Sequence, residues 1–351
     1  MNNTHPWLRS SFMRLGVLYT TDVYNSIYRA LIPAEAMRRK GHDVRVVKHD
    51  DASRVPMEQF SDREVVHVFR RHDKAIAKFI DGLRNRGIGV TYDNDDDLRL
   101  APEESEFFKR HRATGIKRHF AEQVSIMRRA HLITTTTDTL AERWAQEVDR
   151  PIEVVPNFVD DQHFVRTARN SEGVVVGWVA GKEHVADARR LEIAQVLQRV
   201  MSKRPEVRVV TIGVRLDLDA SRYTHHEHIP LHRLGEYTRK FDVGIAPLAD
   251  IPMSYARSDV KVKEYSAAGV PWLASNRGPY AGLPAKFGGL VVEDDAWEAA
   301  LLEITSSKWK RLQLRRCAER WARSQRIDKH VSRWEAVWQE AAAMAERAAA
   351  A

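Results

Sequence analysis

Arg14-Leu15-Gly16-Val17-Leu18-Tyr19 is a short apolar run, followed by helix-compatible residues to Met37, a Gly41-His42 stop, and a second run, Val44-Arg45-Val46-Val47. Strand, helix and strand in that order read as a βαβ unit, and successive units build a mostly parallel sheet. The alternation continues through Val65-Val66-His67-Val68-Phe69, a helix over 74–86, and Ile88-Gly89-Val90-Thr91-Tyr92. A long charged helical stretch is expected over 103–129, then a strand at 131–134, a helix over 139–147 and a strand at 152–155. Residues 13–155 therefore predict one doubly wound α/β domain.

Residues 156–173 are polar and irregular, as a linker between domains should be. A second alternation starts at Val174-Val175-Val176-Gly177-Trp178-Val179. It predicts a helix over 187–203, strands at 207–212, 228–230 and 243–246, a helix over 260–268, and strands at 271–274 and 289–292. Residues 174–320 thus form a second domain. Residues 321–351 are helical, with Trp334 and Trp338 at i,i+4 spacing that marks a packing stripe. Two such domains leave a cleft, and ligands of α/β sheets sit beyond the carboxyl ends of the strands. The residues just after each strand are the ones to weigh.

Composition narrows the setting. The 351 residues carry 56 Lys+Arg against 48 Asp+Glu, a formal net charge of +8, with 43% apolar residues. Two domains of ordinary size can be filled at that composition. The single cysteine, Cys317, excludes a disulfide scaffold and a cysteine-based zinc site. No stretch approaches the roughly 18 consecutive apolar residues of a membrane-spanning helix. Residues 1–12 lack the apolar core of a signal peptide, so a reducing cytoplasm is the expected location. The basic excess suits an anionic partner, and a phospholipid surface touched peripherally or DNA both satisfy it.

The richest segment is Ser258-Asp259-Val260-Lys261-Val262-Lys263-Glu264-Tyr265-Ser266-Ala267-Ala268-Gly269-Val270-Pro271. Ser258 is placed as a helix N-cap with Asp259 in the first turn. The free amides of such a helix end favour a phosphate. Lys261 and Glu264, three apart, share a face, so a cation for a diphosphate stands beside a carboxylate for ribose hydroxyls. A simple i,i+3 salt bridge explains the same spacing.

The run Lys263 to Pro271, ending in Ala274-Ser275, resembles the donor-binding helix of GT-B glycosyltransferases of the family 4 (group 1) type. Three further segments agree. Residues 13–47 are similar to the family's opening strand–loop–helix–strand. Val155-Pro156-Asn157-Phe158-Val159-Asp160 resembles its interdomain signature, with Phe158 in place of a glycine. Val176 to His184, followed by Asp187, resembles the strand and loop that open the donor domain. The resemblance implies a GT-B fold with two Rossmann-like domains facing a cleft, a C-terminal helix crossing back to the first domain, and Glu264 on the ribose of a nucleotide sugar. The N-terminal domain would take the acceptor and residues 174–320 the donor. Two departures stand out. Many members carry a second glutamate, on the transferred sugar, where this chain has Ala256, and Tyr24-Asn25-Ser26 replaces a Gly-Gly loop.

Other candidates follow strands that face the cleft. Gly181, Lys182 and His184 suit a diphosphate, the glycine through close backbone approach and the lysine as a point charge. Asp93 and Asp95, in the run Asp93-Asn94-Asp95-Asp96-Asp97, are the candidate catalytic carboxylates, bonding sugar hydroxyls or steadying an oxocarbenium-like transition state. That spacing does not match a calcium loop, and the GT-B resemblance implies no metal and no cofactor. Arg70 is a candidate phosphate or acceptor contact. Tyr280 falls where the family lines its donor pocket.

The expected activity is transfer of a sugar from a nucleotide-diphosphate donor to an acceptor hydroxyl with retention, the acceptor being a cell-envelope glycan, a lipid or a small molecule. Two alternatives remain at this stage. One is a viral-type DNA glycosyltransferase acting on hydroxymethylated bases. The other is a non-catalytic GT-B protein that binds sugar or nucleotide.

Overall fold

The computed structural model describes residues 12–20, 26–49, 55–105, 108–109, 112, 115–164 and 173–351. The Tyr24-Asn25 pair, residues 1–11, and parts of the 103–129 and 156–173 segments lie outside the described residues.

The first sheet has six parallel strands: Arg14–Tyr19 (β1), Asp43–Lys48 (β2), Val65–Phe69 (β3), Gly89–Asp93 (β4), Leu132–Thr135 (β5) and Ile152–Val154 (β6). Their order is β2-β1-β3-β4-β5-β6. Every residue of β3, β4 and β5 is buried, as parallel strands covered by helices on both faces must be. A π-helical turn, Ile27–Leu31, runs into helix α1, Ile32–Arg39. Lys74–Arg84 (α2), Ile116–Met127 (α3) and Asp138–Ala145 (α4) complete this half. Asp73 and Thr137 cap α2 and α4, accepting from Ile76 N at 3.0 Å and Leu140 N at 3.3 Å.

The second sheet repeats the plan with Val174–Ala180 (β7), Val207–Gly213 (β8), Tyr223–His226 (β9), Val243–Ala246 (β10), Trp272–Ser275 (β11) and Gly289–Val292 (β12). Its order is β12-β11-β10-β7-β8-β9, again all parallel. Its helices are Val185–Arg190 (α5), Ile193–Lys203 (α6), Leu231–Thr238 (α7), Val260–Ala267 (α8), Trp297–Ser306 (α9) and Lys308–Ser324 (α10). The last helix, Val331–Ala350 (α11), lies on the first sheet.

Four expectations shift. The helix expected over 187–203 breaks in two at Glu192, whose φ of 49° is left-handed. The strand expected at 228–230 forms instead at 223–226, where Tyr223 bonds Thr211 Oγ1 (2.7 Å) and Leu216 N (2.9 Å). Ile229 is buried in the second domain's core outside any strand. The helix expected from 103 is assigned from Ile116 among the described residues. The boundary at 321 falls inside α10, which stays on the second sheet with Trp321 stacked on Phe287 at 4.8 Å. The chain crosses back at 325–330, where Val159 bridges Arg326 in parallel. Trp334 and Trp338 are fully buried on the first domain. Gly89 of β4 allows that contact, since a Cβ there would meet Ala341 O at 2.7 Å.

Candidate active site

The aspartates after β4 are answered by arginines. Asp93 is fully buried, accepting from Arg29 Nη2 at 2.7 Å and Nε at 3.1 Å, and from the Thr134 hydroxyl. Its carboxylate points into the first domain's interior, which removes it from the catalytic set the sequence suggested. Asp95 and Asp96 both bind Arg70, and Asp97 pairs with Arg99 at 2.7 Å. Burial pushes the Asp95 carboxyl up to about 7 against the pull of Arg70. Arg70 holds a left-handed backbone, φ 54°, uncommon outside glycine, which turns its fork back onto these carboxylates. The expected phosphate or acceptor contact at Arg70 is thus engaged by protein carboxylates.

Across the cleft, α8 is led in by Asp259, not Ser258. Asp259 turns along its own helix to Lys263 Nζ at 2.8 Å, and Lys263 also donates to Asn157 O at 2.9 Å. Ser258 Oγ accepts from Asn157 Nδ2 at 3.1 Å. Phe158, the residue standing for the family's glycine, stacks on His330 at 4.1 Å with Lys263 over its ring. These contacts fix α8 to the linker.

Glu264 is the meeting point of both domains. Its Oε2 accepts from Lys261 Nζ at 2.8 Å, and its Oε1 accepts from the hydroxyl of Tyr28 in the first domain. That hydroxyl also lies 2.8 Å from His163 Nε2 in the linker. Burial and the Glu264 charge hold the Tyr28 phenol well above its usual range, so it stays a donor, while burial lowers His163. A carboxylate offers about four lone-pair directions, so Glu264 keeps acceptor capacity for a diol. Tyr28→Phe keeps the ring and removes the bond. It is expected to lower the unfolding free energy by about 1.5–3 kcal/mol, the range for hydrogen bonds to charged groups, as read by urea denaturation. An unchanged midpoint would show that the bond carries no weight.

The 181–187 turn splits its residues between two surroundings. His184 Nε2 lies 3.0 Å from Arg257 Nη1. Arginine can only donate, so Nε2 accepts and the proton sits on Nδ1, which donates to buried Asp187 at 2.7 Å. Asp187 also takes the Ala249 amide at 2.8 Å, locking this loop to the end of β10. Arg257, directly before Ser258, is a cleft cation the sequence reading passed over, and its Nε is buried without a partner among the described residues. Lys182 faces the other way. Its side chain is 64% exposed, 3.5 Å from Glu227, at the rim of a cavity of about 570 Å³ beyond the ends of β7, β8 and β9. Arg215, Leu216 and His225 line that cavity, and Gly213 shapes it, since at its φ of +92° a Cβ would strike Ala180 O at 2.2 Å.

The structure therefore brings Lys261 and Glu264 together and sets Gly181 and His184 in a turn that reaches Arg257. It separates Lys182 from that group, and Tyr280 is buried in the second domain's core. Tyr28 and His163 carried no local signal, since each meets Glu264 or its partner only through the fold.

No protein-family model matches the chain, and no curated protein matches it. Solved structures do. Anabaena HepE in complex with UDP-glucose superposes with a TM-score of 0.65 at 13% identity, covering 92% of this chain and 99% of that one. The α,α-trehalose 6-phosphate synthase of Burkholderia multivorans gives 0.63 at 14%, over 96% and 98%. WaaG, a glycosyltransferase involved in lipopolysaccharide biosynthesis, gives 0.59 at 12%, over 92% and 98%. The chain spans about half, 55%, of S. aureus TarM, with a TM-score of 0.57 at 9% identity. At these identities the likeness is one of fold, and the fold is GT-B: two Rossmann-like domains with a C-terminal helix returned to the first.

Proposed function

We propose that this chain is a glycosyltransferase that takes a sugar from a uridine-diphosphate donor held on α8. The carrying observation is the Lys261–Glu264 pair at the cleft end of α8, bonded to Tyr28 of the first domain, with Arg257, held by His184, just before that helix. Glu264 would hold the ribose diol, and Lys261 with Arg257 would face the diphosphate, where leaving-group charge develops. The cavity beside Lys182 has the size of an ordinary small-molecule site and would take the base of the donor, away from the ribose.

In the reaction the bond from sugar C1 to the diphosphate oxygen breaks and the acceptor oxygen bonds C1. The acceptor proton passes to the departing diphosphate. The arginine partners of Asp93 and Asp95 support this retaining course over one that needs a free carboxylate base. HepE with UDP-glucose and WaaG of lipopolysaccharide biosynthesis support a uridine donor and an envelope glycan acceptor, in the family 4 manner.

Thermal shift against a panel of UDP-sugars tests the reading. One donor is expected to raise the melting temperature by a few degrees, as binding at a hundred times Kd contributes about 2.7 kcal/mol. Glu264→Ala should remove that shift. An equal shift in the variant, or no response to any donor, would sink it.

A further inference from the structure

Four buried side-chain atoms lie at one seam between the domains without a hydrogen-bond partner among the described residues: Asn94 Oδ1 and Nδ2, Thr136 Oγ1 and Ser254 Oγ. Asn94 and Ser254 are fully buried, and Thr136 is 3% exposed. Natural folds pair nearly all such groups, so a cluster of exceptions asks for a cause.

Their placement is specific. Asn94 and Thr136 follow β4 and β5 at their carboxyl ends, stitched together by Asn94 N to Thr134 O at 3.0 Å and Thr135 Oγ1 to Asn94 O at 2.8 Å. Ser254 lies in the turn Pro252–Ala256, which crosses from the second domain onto this edge. There Thr137 Oγ1 donates to Ala256 O at 3.4 Å, and Ala256 packs into the first domain's cluster with Tyr92 and Ile133. The same turn leads through Arg257 and Ser258 into the donor helix. Along β4 side chains alternate, so Asn94 shares the face of Tyr92 while Asp93 takes the opposite face toward Arg29. The three residues thus lie on segments that meet at Ala256.

All three side chains are neutral. Together they offer hydroxyls and an amide, able both to donate and to accept, as a sugar's hydroxyls require. We propose that Asn94, Thr136 and Ser254 seat the transferred sugar through neutral hydrogen bonds, in place of a carboxylate at position 256. The inference rests on the donor reading above. Both domains contribute and cover these atoms, so the domains must part to admit the sugar and close again around it.

The test compares affinities for UDP and for UDP-glucose by calorimetry in wild type, Thr136→Val, Ser254→Ala and Asn94→Leu. UDP affinity should stay within about twofold, while the advantage of UDP-glucose over UDP falls about two- to tenfold per variant, the weight of one neutral hydrogen bond. Melting temperatures should hold or rise, because each change removes an unpaired buried polar group. A falling melting temperature would mean that the group is bonded within the protein and would overturn the assignment. So would an unchanged UDP-glucose advantage in Thr136→Val and Ser254→Ala, the two changes least able to disturb folding. Wild type that binds UDP but gains nothing from glucose overturns the sugar seat alone. Wild type that binds neither overturns the donor reading with it.

Discussion

Arg29→Ala is expected to lower the unfolding free energy by about 3–5 kcal/mol, the loss seen when one partner of a buried ion pair is removed. Arg29 is fully buried and spends its whole guanidinium. Nε and Nη2 hold Asp93, Nη1 reaches Asn157 Oδ1 at 3.1 Å and the Val155 carbonyl, Nη2 reaches Thr135 O at 3.3 Å, and the plane lies 4.7 Å from the Trp334 ring centre. One side chain thereby joins the first helical turn, β4, the end of β5, the linker and the returning C-terminal helix. Without it the Asp93 charge is stranded in the interior. Arg29→Leu combined with Asp93→Asn should recover most of the loss, since removing both charges is far milder than removing one. A urea midpoint for Arg29→Ala equal to wild type would refute this keystone.

The fold should also weaken as acid rises, and His67 is one cause. It is fully buried, edge-on to Trp334 and Trp338 at 5.4 and 5.6 Å. Nε2 donates to Arg29 O at 3.0 Å, which leaves Nδ1 to accept from Thr91 Oγ1 at 2.9 Å, so the ring is neutral. Burial lowers it from 6.5 to about 4. Between those values the unfolded chain binds the proton and the folded chain does not, so stability rises with pH across the window. Falling from pH 7 to 4 therefore removes about 3 kcal/mol through this residue, at 1.36 kcal/mol per pH unit. His67→Gln can keep both hydrogen bonds and cannot titrate. The gap between wild type and His67→Gln in urea denaturation should narrow by about that amount from pH 7 to pH 4. A constant gap would show that His67 titrates alike in both states.

Both predictions concern residues whose importance is invisible in one dimension. Apolar runs placed most strands, since a covered parallel strand needs little more than a run of buried residues. The run at 174–179 is an example, every residue of β7 being buried. Local pattern was less secure where pairing decided. Tyr223–His226 became an edge strand because Tyr223 found Thr211, not because its own residues alternate. Glu192 broke a helix that its neighbours would have continued.

The site divides in the same way. Lys261 and Glu264 were legible because i,i+3 spacing on a helix dictates that they meet. Asp93 looked equally poised after its strand, yet Arg29, 64 residues earlier, claims its carboxylate. Lys182 sits two residues from His184, but the turn sends one to the cavity and the other to Arg257. The sequence by itself determined two parallel α/β sheets, a linker, a returning helix and one helix face that joins Lys261 to Glu264, because strand burial and helix periodicity are local. Only the tertiary structure decided which charges stay available at the cleft, because Arg29 and Arg70, which neutralise Asp93 and Asp95, arrive there through the packing of distant elements.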